Sequence, residues 1–183
     1  MKSWPLITLM ASLAVADALM KACDLRADIK WPNDICVNDR KLCGVLAETV
    51  ETSIGPAAIV GIGINLNSAG LSATLRDIAT SVEMATGSKP NCELVLQALI
   101  KAIAERYESL HSTGGAEHLI REWCANSSYA VGRRVQVSGF GRTFEGTTRG
   151  LESDGALRVE TEDGKIRIVR AGEVTALRAT NSK

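Results

Sequence analysis

Two Asp-Gly pairs, Asp154-Gly155 and Asp163-Gly164, cut the last third of the chain into pieces too short for helices. Glycine supplies the positive φ that tight hairpin turns demand, so such pairs between apolar runs predict short antiparallel strands. With Gly139-Phe140-Gly141 as a further break, the strand-like pieces are 134–137, 143–151, 156–161 and 165–169. They predict a small antiparallel barrel or sheet, separate from whatever the longer segments upstream build.

Upstream the texture is different. The apolar run 5–16, with Lys2 before it and Ala14-Val15-Ala16 within it, imitates a secretory signal. Leu6, Leu9, Leu13, Ala16 and Met20 nevertheless recur at helical spacing, which predicts an amphipathic core helix. No stretch is expected to reach the ~20 apolar residues of a membrane span. A short strand at 28–30 leads into the turn Trp31-Pro32-Asn33-Asp34; strands at 35–37 and 40–50 follow, joined at Asn38-Asp39. The apolar run 57–66 reads as a buried central strand, and 77–86, 91–110 and 116–124 read as helices. Asn91 caps the second of these, with Leu96, Leu99, Ile103, Tyr107 and Leu110 as its core stripe. The division expected is a mixed α/β domain over 1–128 and a small β-domain over 129–183.

Lysine plus arginine and aspartate plus glutamate both total 21, so there is no net positive field to hold nucleic acid or an anionic membrane. Aromatic residues make up 4%, too few for a base-stacking surface. Cys23, Cys36, Cys43, Cys92 and Cys124 form no Cys-x-x-Cys pair; they predict reduced, mostly buried thiols in a cytoplasmic protein, and no metal site.

Three segments carry the chemistry: Lys30-Trp31-Pro32-Asn33-Asp34, then 40–48 (Arg-Lys-Leu-Cys-Gly-Val-Leu-Ala-Glu), then 61–67 (Gly-Ile-Gly-Ile-Asn-Leu-Asn). Strand alternation puts Gly61, Gly63 and Asn65 on one face. Bare glycines there mean that something approaches the backbone closely, either a ligand or a tightly packed helix. Lys41 opens a strand that soon turns apolar, so its ammonium must meet an anion or leave by snorkelling.

In order and spacing these segments resemble the catalytic domain of biotin–protein ligases, and the tail resembles that family's SH3-like C-terminal domain. The resemblance implies a class II synthetase-like α/β core followed by a small barrel. It implies formation of biotinyl-5′-AMP from biotin and ATP, with Mg²⁺ accompanying the nucleotide. The biotinyl group then passes to a lysine of a biotin carboxyl carrier protein such as an acetyl-CoA carboxylase subunit. Carried over by motif, Lys41 is the catalytic residue that contacts biotin and the α-phosphate. Gly44 lies at the biotin; Asn33, Asp34, Asn65, Gly61 and Gly63 lie on the nucleotide side. Lipoate ligation and a non-catalytic remnant are the alternatives.

The family also carries a Gly-Arg-Gly-Arg-x-Gly-Arg loop ahead of this region, and this chain is expected to begin after it. Gly139-Phe140-Gly141-Arg142 only imitates that loop. As given, the 183 residues are therefore expected to be impaired, to self-associate through sheet edges, including as a homodimer, and to bind no DNA because they hold no winged helix.

Overall fold

In the computed structural model, which describes residues 4–139 and 142–177, two antiparallel sheets are joined by helices. The elements run α1 (Ile7–Cys23), β1 (Asp28–Lys30), β2 (Asp34–Val37), β3 (Arg40–Thr52), β4 (Gly55–Ile64), α2 (Val82–Thr86), α3 (Cys92–His111), α4 (Gly115–Ala125), β5 (Val131–Gly139), β6 (Arg142–Leu151), β7 (Leu157–Glu160), β8 (Ile166–Val169) and β9 (Glu173–Ala176). The first sheet has the order β1-β2-β3-β4 and the second β8-β7-β6-β5-β9. Residues 140 and 141, the centre of the loop-like Gly-Phe-Gly-Arg stretch, lie outside the described residues.

Helix α1 is wrapped by the fold rather than lying on it. Leu9 to Val15 are all buried, and Ser12 satisfies its hydroxyl on the Thr8 carbonyl at 2.9 Å. The expected stripe is correct at Leu6, Leu9 and Leu13 but wrong at Met20, which is exposed. Trp4–Cys23 is long and apolar enough to cross a membrane by length and composition, contrary to expectation. Here that apolar surface packs on the first sheet, α3 and α4, and Leu6 and Leu9 lie against the turn at Gly155.

The turn chemistry holds where it was local. Asn38 and Asp39 both take positive φ, the conformation of the tightest two-residue hairpin. Asn91 caps α3 by accepting from the Glu93 and Leu94 amides. On the inward face of α3 the expected stripe holds at Leu110, which is buried, and at Leu99, which packs on the core, but Val95 and Ala102 are buried instead of Leu96 and Tyr107, which are exposed. Arg106 sits within that inward face because it bridges Asp17 of α1 and Glu122 of α4, a role no apolar stripe encodes.

Two corrections concern the first sheet. Strand β4 is an edge strand and is half-exposed along its length, with Ile59 56% exposed, so 57–66 is not a buried central strand. The helix expected over 77–86 begins only at Val82. Residues 78–80 instead pair with the start of β3, Lys41 N–H bonding to Ile78 at 2.9 Å and Thr80 N–H bonding to Lys41 at 2.8 Å. Ser81 then caps α2 by accepting from Met84 N–H. Past residue 130 the expected strands are present, and β9 is an addition pairing with β5.

One apolar core runs through both sheets, from Ile29, Ile35 and Val45 through Leu6, Leu9 and Trp31 to Val135, Leu157 and Val159. Of the cysteines, Cys36 and Cys43 are buried, Cys23 and Cys124 half-buried and Cys92 exposed; all five are free thiols.

Candidate functional site

The site grows out of a one-residue irregularity. Pairing runs Asp34 to Gly44 and Ile35 to Cys43, then jumps to Cys36 with Lys41, so β3 holds one residue more than β2. Residues 41 and 44 would stand on opposite faces of a regular strand; a bulge reverses that parity. Leu42 and Cys43 are both buried in consequence, and Lys41 comes to the face of Gly44.

On that face Asp34, Gly44 and Gly63 form a row across β2, β3 and β4, and Leu46 with Gly61 forms the next row. The opposite face, with Ile35, Cys43 and Ile64, is turned to α1 and the core. The Lys41 ammonium reaches Asp34 Oδ1 at 2.5 Å, and Lys30 approaches Oδ2 at 3.9 Å. One carboxylate between two ammonium groups leaves the patch one positive charge in excess. Lys41 remains 50% exposed, so it can serve a further anion. Gly44 is its seat: a Cβ there would lie 3.2 Å from Lys41 Cε and 3.3 Å from Nζ.

The glycines of β4 face space. A Cβ at Gly63 would meet nothing within 4 Å, and one at Gly61 only the Leu46 carbonyl at 3.8 Å. Among the described residues no helix packs against them, which removes the packing explanation for their presence. Leu46, 57% exposed, lies beside them and offers an apolar surface.

The two asparagines anchor the surroundings. Asn33 donates Nδ2–H to the Val45 carbonyl at 2.7 Å, and its own carbonyl accepts from Val45 N–H at 2.9 Å. Asn65 extends β4 through its N–H to Leu42 and donates Nδ2–H to the Thr80 carbonyl at 3.0 Å. The sequence reading missed the segment 78–80, which fixes the Lys41 backbone; the capping serine Ser81 was the available signal that the helix starts late. Burial pushes the Cys43 thiol up to about 12 and Cys36 up to about 11, so neither is a ready nucleophile at neutral pH. Among the described residues no group of three His, Cys, Asp or Glu side chains gathers as a metal site.

Residues 2–65 match the Biotin/lipoate A/B protein ligase family, and residues 130–175 match the Biotin protein ligase C terminal domain. Over 174 residues the chain is 32% identical to the biotin–[acetyl-CoA-carboxylase] ligase of Paracoccus denitrificans, covering 92% of this chain and 71% of that one. This chain belongs to the biotin–protein ligase family. It is also 35% identical over 172 residues to the bifunctional ligase/repressor BirA of Bacillus spizizenii, covering 91% of this chain and 52% of the relative, so it spans about half the length of that protein. The fold superposes on the biotin protein ligase of Aquifex aeolicus with a TM-score of 0.83 at 27% identity, over 98% of this chain and 77% of that one. Against the Aquifex ligase in complex with biotin and ATP the TM-score is 0.79 at 29% identity, over 94% and 71%.

Proposed function

We propose that this chain carries one wall of the adenylate-forming site of an ATP-dependent biotin–protein ligase, with Lys41 as the cation on which two anions meet. The observation that carries the reading is the row Asp34, Gly44, Gly63, with Lys41 turned onto it by a bulge and open space above. An oxygen of the biotin carboxylate attacks the α-phosphorus of ATP, the bond to the β-phosphate oxygen breaks, and pyrophosphate leaves with the electron pair. Mg²⁺ arrives as part of the nucleotide substrate. The two reacting groups are both anionic, and a fixed ammonium offsets their repulsion as charge builds at phosphorus. Asp34 stands beside the Lys41 ammonium as its counter-ion, and the half-exposed ammonium keeps N–H donors for the carboxylate and the phosphate.

Gly61 and Gly63 let the nucleotide lie against the main chain, and Asn33 and Asn65 hold the strand ends around it. Gly44 borders the biotin carboxylate. In the second step a lysine amine of a carrier protein attacks the acyl carbonyl, AMP leaves, an amide forms and the amine proton passes to solvent. The carrier is a biotin carboxyl carrier protein, the compartment the cytoplasm, and DNA has no part in this reading. The domains are 1–128 for the reacting face and 129–183 for the second sheet, with a homodimer as the assembly. As 183 residues alone, the chain binds biotin and retains adenylate poorly, because a single wall neither encloses the ligand nor excludes water.

The test is pyrophosphate release from biotin and ATP in a fusion that adds the part of the Paracoccus ligase outside the matched stretch. Lys41→Ala should slow it by roughly 10²–10³-fold, as for one lost transition-state donor, with the fold intact. Lys41→Arg should also be slow, since a planar fork does not replace a compact charge. An alanine variant as fast as its parent rejects the reading. Lipoate in place of biotin distinguishes the sister activity.

A further inference from the structure

The stretch from Asp28 to Asp39 is gripped from beyond residue 126 at its first strand and at both of its turns. Ser127 Oγ donates to the Ile29 carbonyl at 2.5 Å, and Ser128 donates from N and Oγ to the Asp28 carboxylate at 2.8 and 2.5 Å. Tyr129 OH and Arg133 Nη2 both donate to Asp39 Oδ1 at the β2–β3 turn, at 3.1 and 3.0 Å. Between these two grips, Trp31 Nε1 donates to the Gly155 carbonyl at 3.0 Å, at the β6–β7 turn.

The last bond holds the turn that leads directly into Asp34. Trp31 is 3% exposed and opens the three-residue turn that delivers Asp34 into β2. Its acceptor is itself built to stay in place. Gly155 has a φ of +83°, its N–H bonds to Glu152 at 2.9 Å, and Asp154 Oδ1 accepts from Ala156 N–H at 3.1 Å while Oδ2 is held by Arg170 at 3.1 Å. A Cβ at Gly155 would lie 2.9 Å from Leu9 Cδ1 and 3.1 Å from Leu6 Cδ2, so only glycine brings the turn this close to α1 and the indole. Apolar packing alone would place an indole ring without aiming its N–H; here the N–H meets a carbonyl of the other sheet.

We propose that Trp31 is a positioning residue: through Gly155 it lets the second sheet set where Asp34, and hence the Lys41 ammonium, stands on the reacting face. The importance of that position rests on the reading of Lys41 given above; the position itself does not. The Asn33–Val45 bonds tie the turn to β3 from one side, and the indole ties it to the second sheet from the other. With the indole tie gone the turn pivots on its remaining side, and the short Lys41–Asp34 contact loosens.

The test uses the full 183-residue chain and nuclear magnetic resonance of its lysine ammonium groups. The Lys41 signal, assigned by its loss in Lys41→Ala, should show a through-space correlation to the Asp34 side chain, as their ion pair requires. Trp31→Phe keeps an aromatic ring in the core and removes the donor together with part of the indole's volume. The correlation should fall to less than half its parent intensity, while β5 to β9 amide signals stay in place. Arg170→Ala, a surface change that frees Asp154, should weaken the correlation by a smaller amount, and it decides the matter should Trp31→Phe fail to fold. A parent-strength correlation in the folded variants overturns the proposal. Pyrophosphate release in Lys41→Ala reports separately on the catalytic reading, so a failure of one is not mistaken for a failure of the other.

Discussion

Replacing Gly44 with alanine puts a methyl group 3.2 Å from Lys41 Cε and 3.3 Å from Nζ, both at the flexible end of a half-exposed side chain. The lysine can move aside at little cost, and alanine relieves the entropic penalty of glycine in a strand, about 0.5–1 kcal/mol. Stability should therefore hold or rise slightly in thermal unfolding. Moving aside, however, takes the ammonium away from Asp34 and from the row where the anions are proposed to meet. Pyrophosphate release by the fusion should fall by roughly tenfold, about 1.4 kcal/mol of barrier. A parent rate in Gly44→Ala would mean that the seat does not matter. The Lys41–Asp34 pair itself contributes about 0–1 kcal/mol to stability at this exposure, so its weight lies in geometry and not in holding the fold.

At the scale of elements, Gly63→Val separates fold from site in the same way. A side chain at Gly63 enters open space, and valine suits a strand better than glycine, so unfolding should shift by no more than about 1 kcal/mol, toward greater stability. The same isopropyl group would stand where the nucleotide is proposed to lie, so MgATP binding should be lost. Unchanged nucleotide binding would remove β4 from the site. The motif glycines were legible as a bare face because period-two alternation is written directly in Gly61, Gly63 and Asn65. Their partners were not. The bulge at Leu42 leaves no compositional mark, and without it Lys41 and Gly44 read as residues of opposite faces. Local chemistry was readable at Asn91 and at Asn38-Asp39, since a cap and a tight turn are set by neighbours in sequence. The run 57–66 misled because apolar content was taken for burial, whereas a strand beside a ligand face can be apolar and open. Residues 78–80 misled because backbone pairing to Lys41 overrides helical propensity.

For the whole molecule, two sheets share one apolar core, and the segment leading into β5 together with the β6–β7 turn supplies bonds along the stretch from Asp28 to Asp39. A cut after residue 126 would sever these grips, so the reacting face and the C-terminal sheet are expected to lose structure together. The central claim is that ligand chemistry takes place on the open face of β3 and β4. Its most direct test is a titration of the ¹⁵N-labelled 183-residue chain with MgATP, followed by amide shifts, which register even the weak binding expected of a one-walled site. Shifts should gather at Lys41, Gly44, Gly61, Gly63 and Asn65 and vanish in Gly63→Val. Shifts gathered instead around the 580 Å³ cleft lined by Arg26, Asn38, Ser127 and Arg133, with Gly61 and Gly63 unmoved, would contradict it.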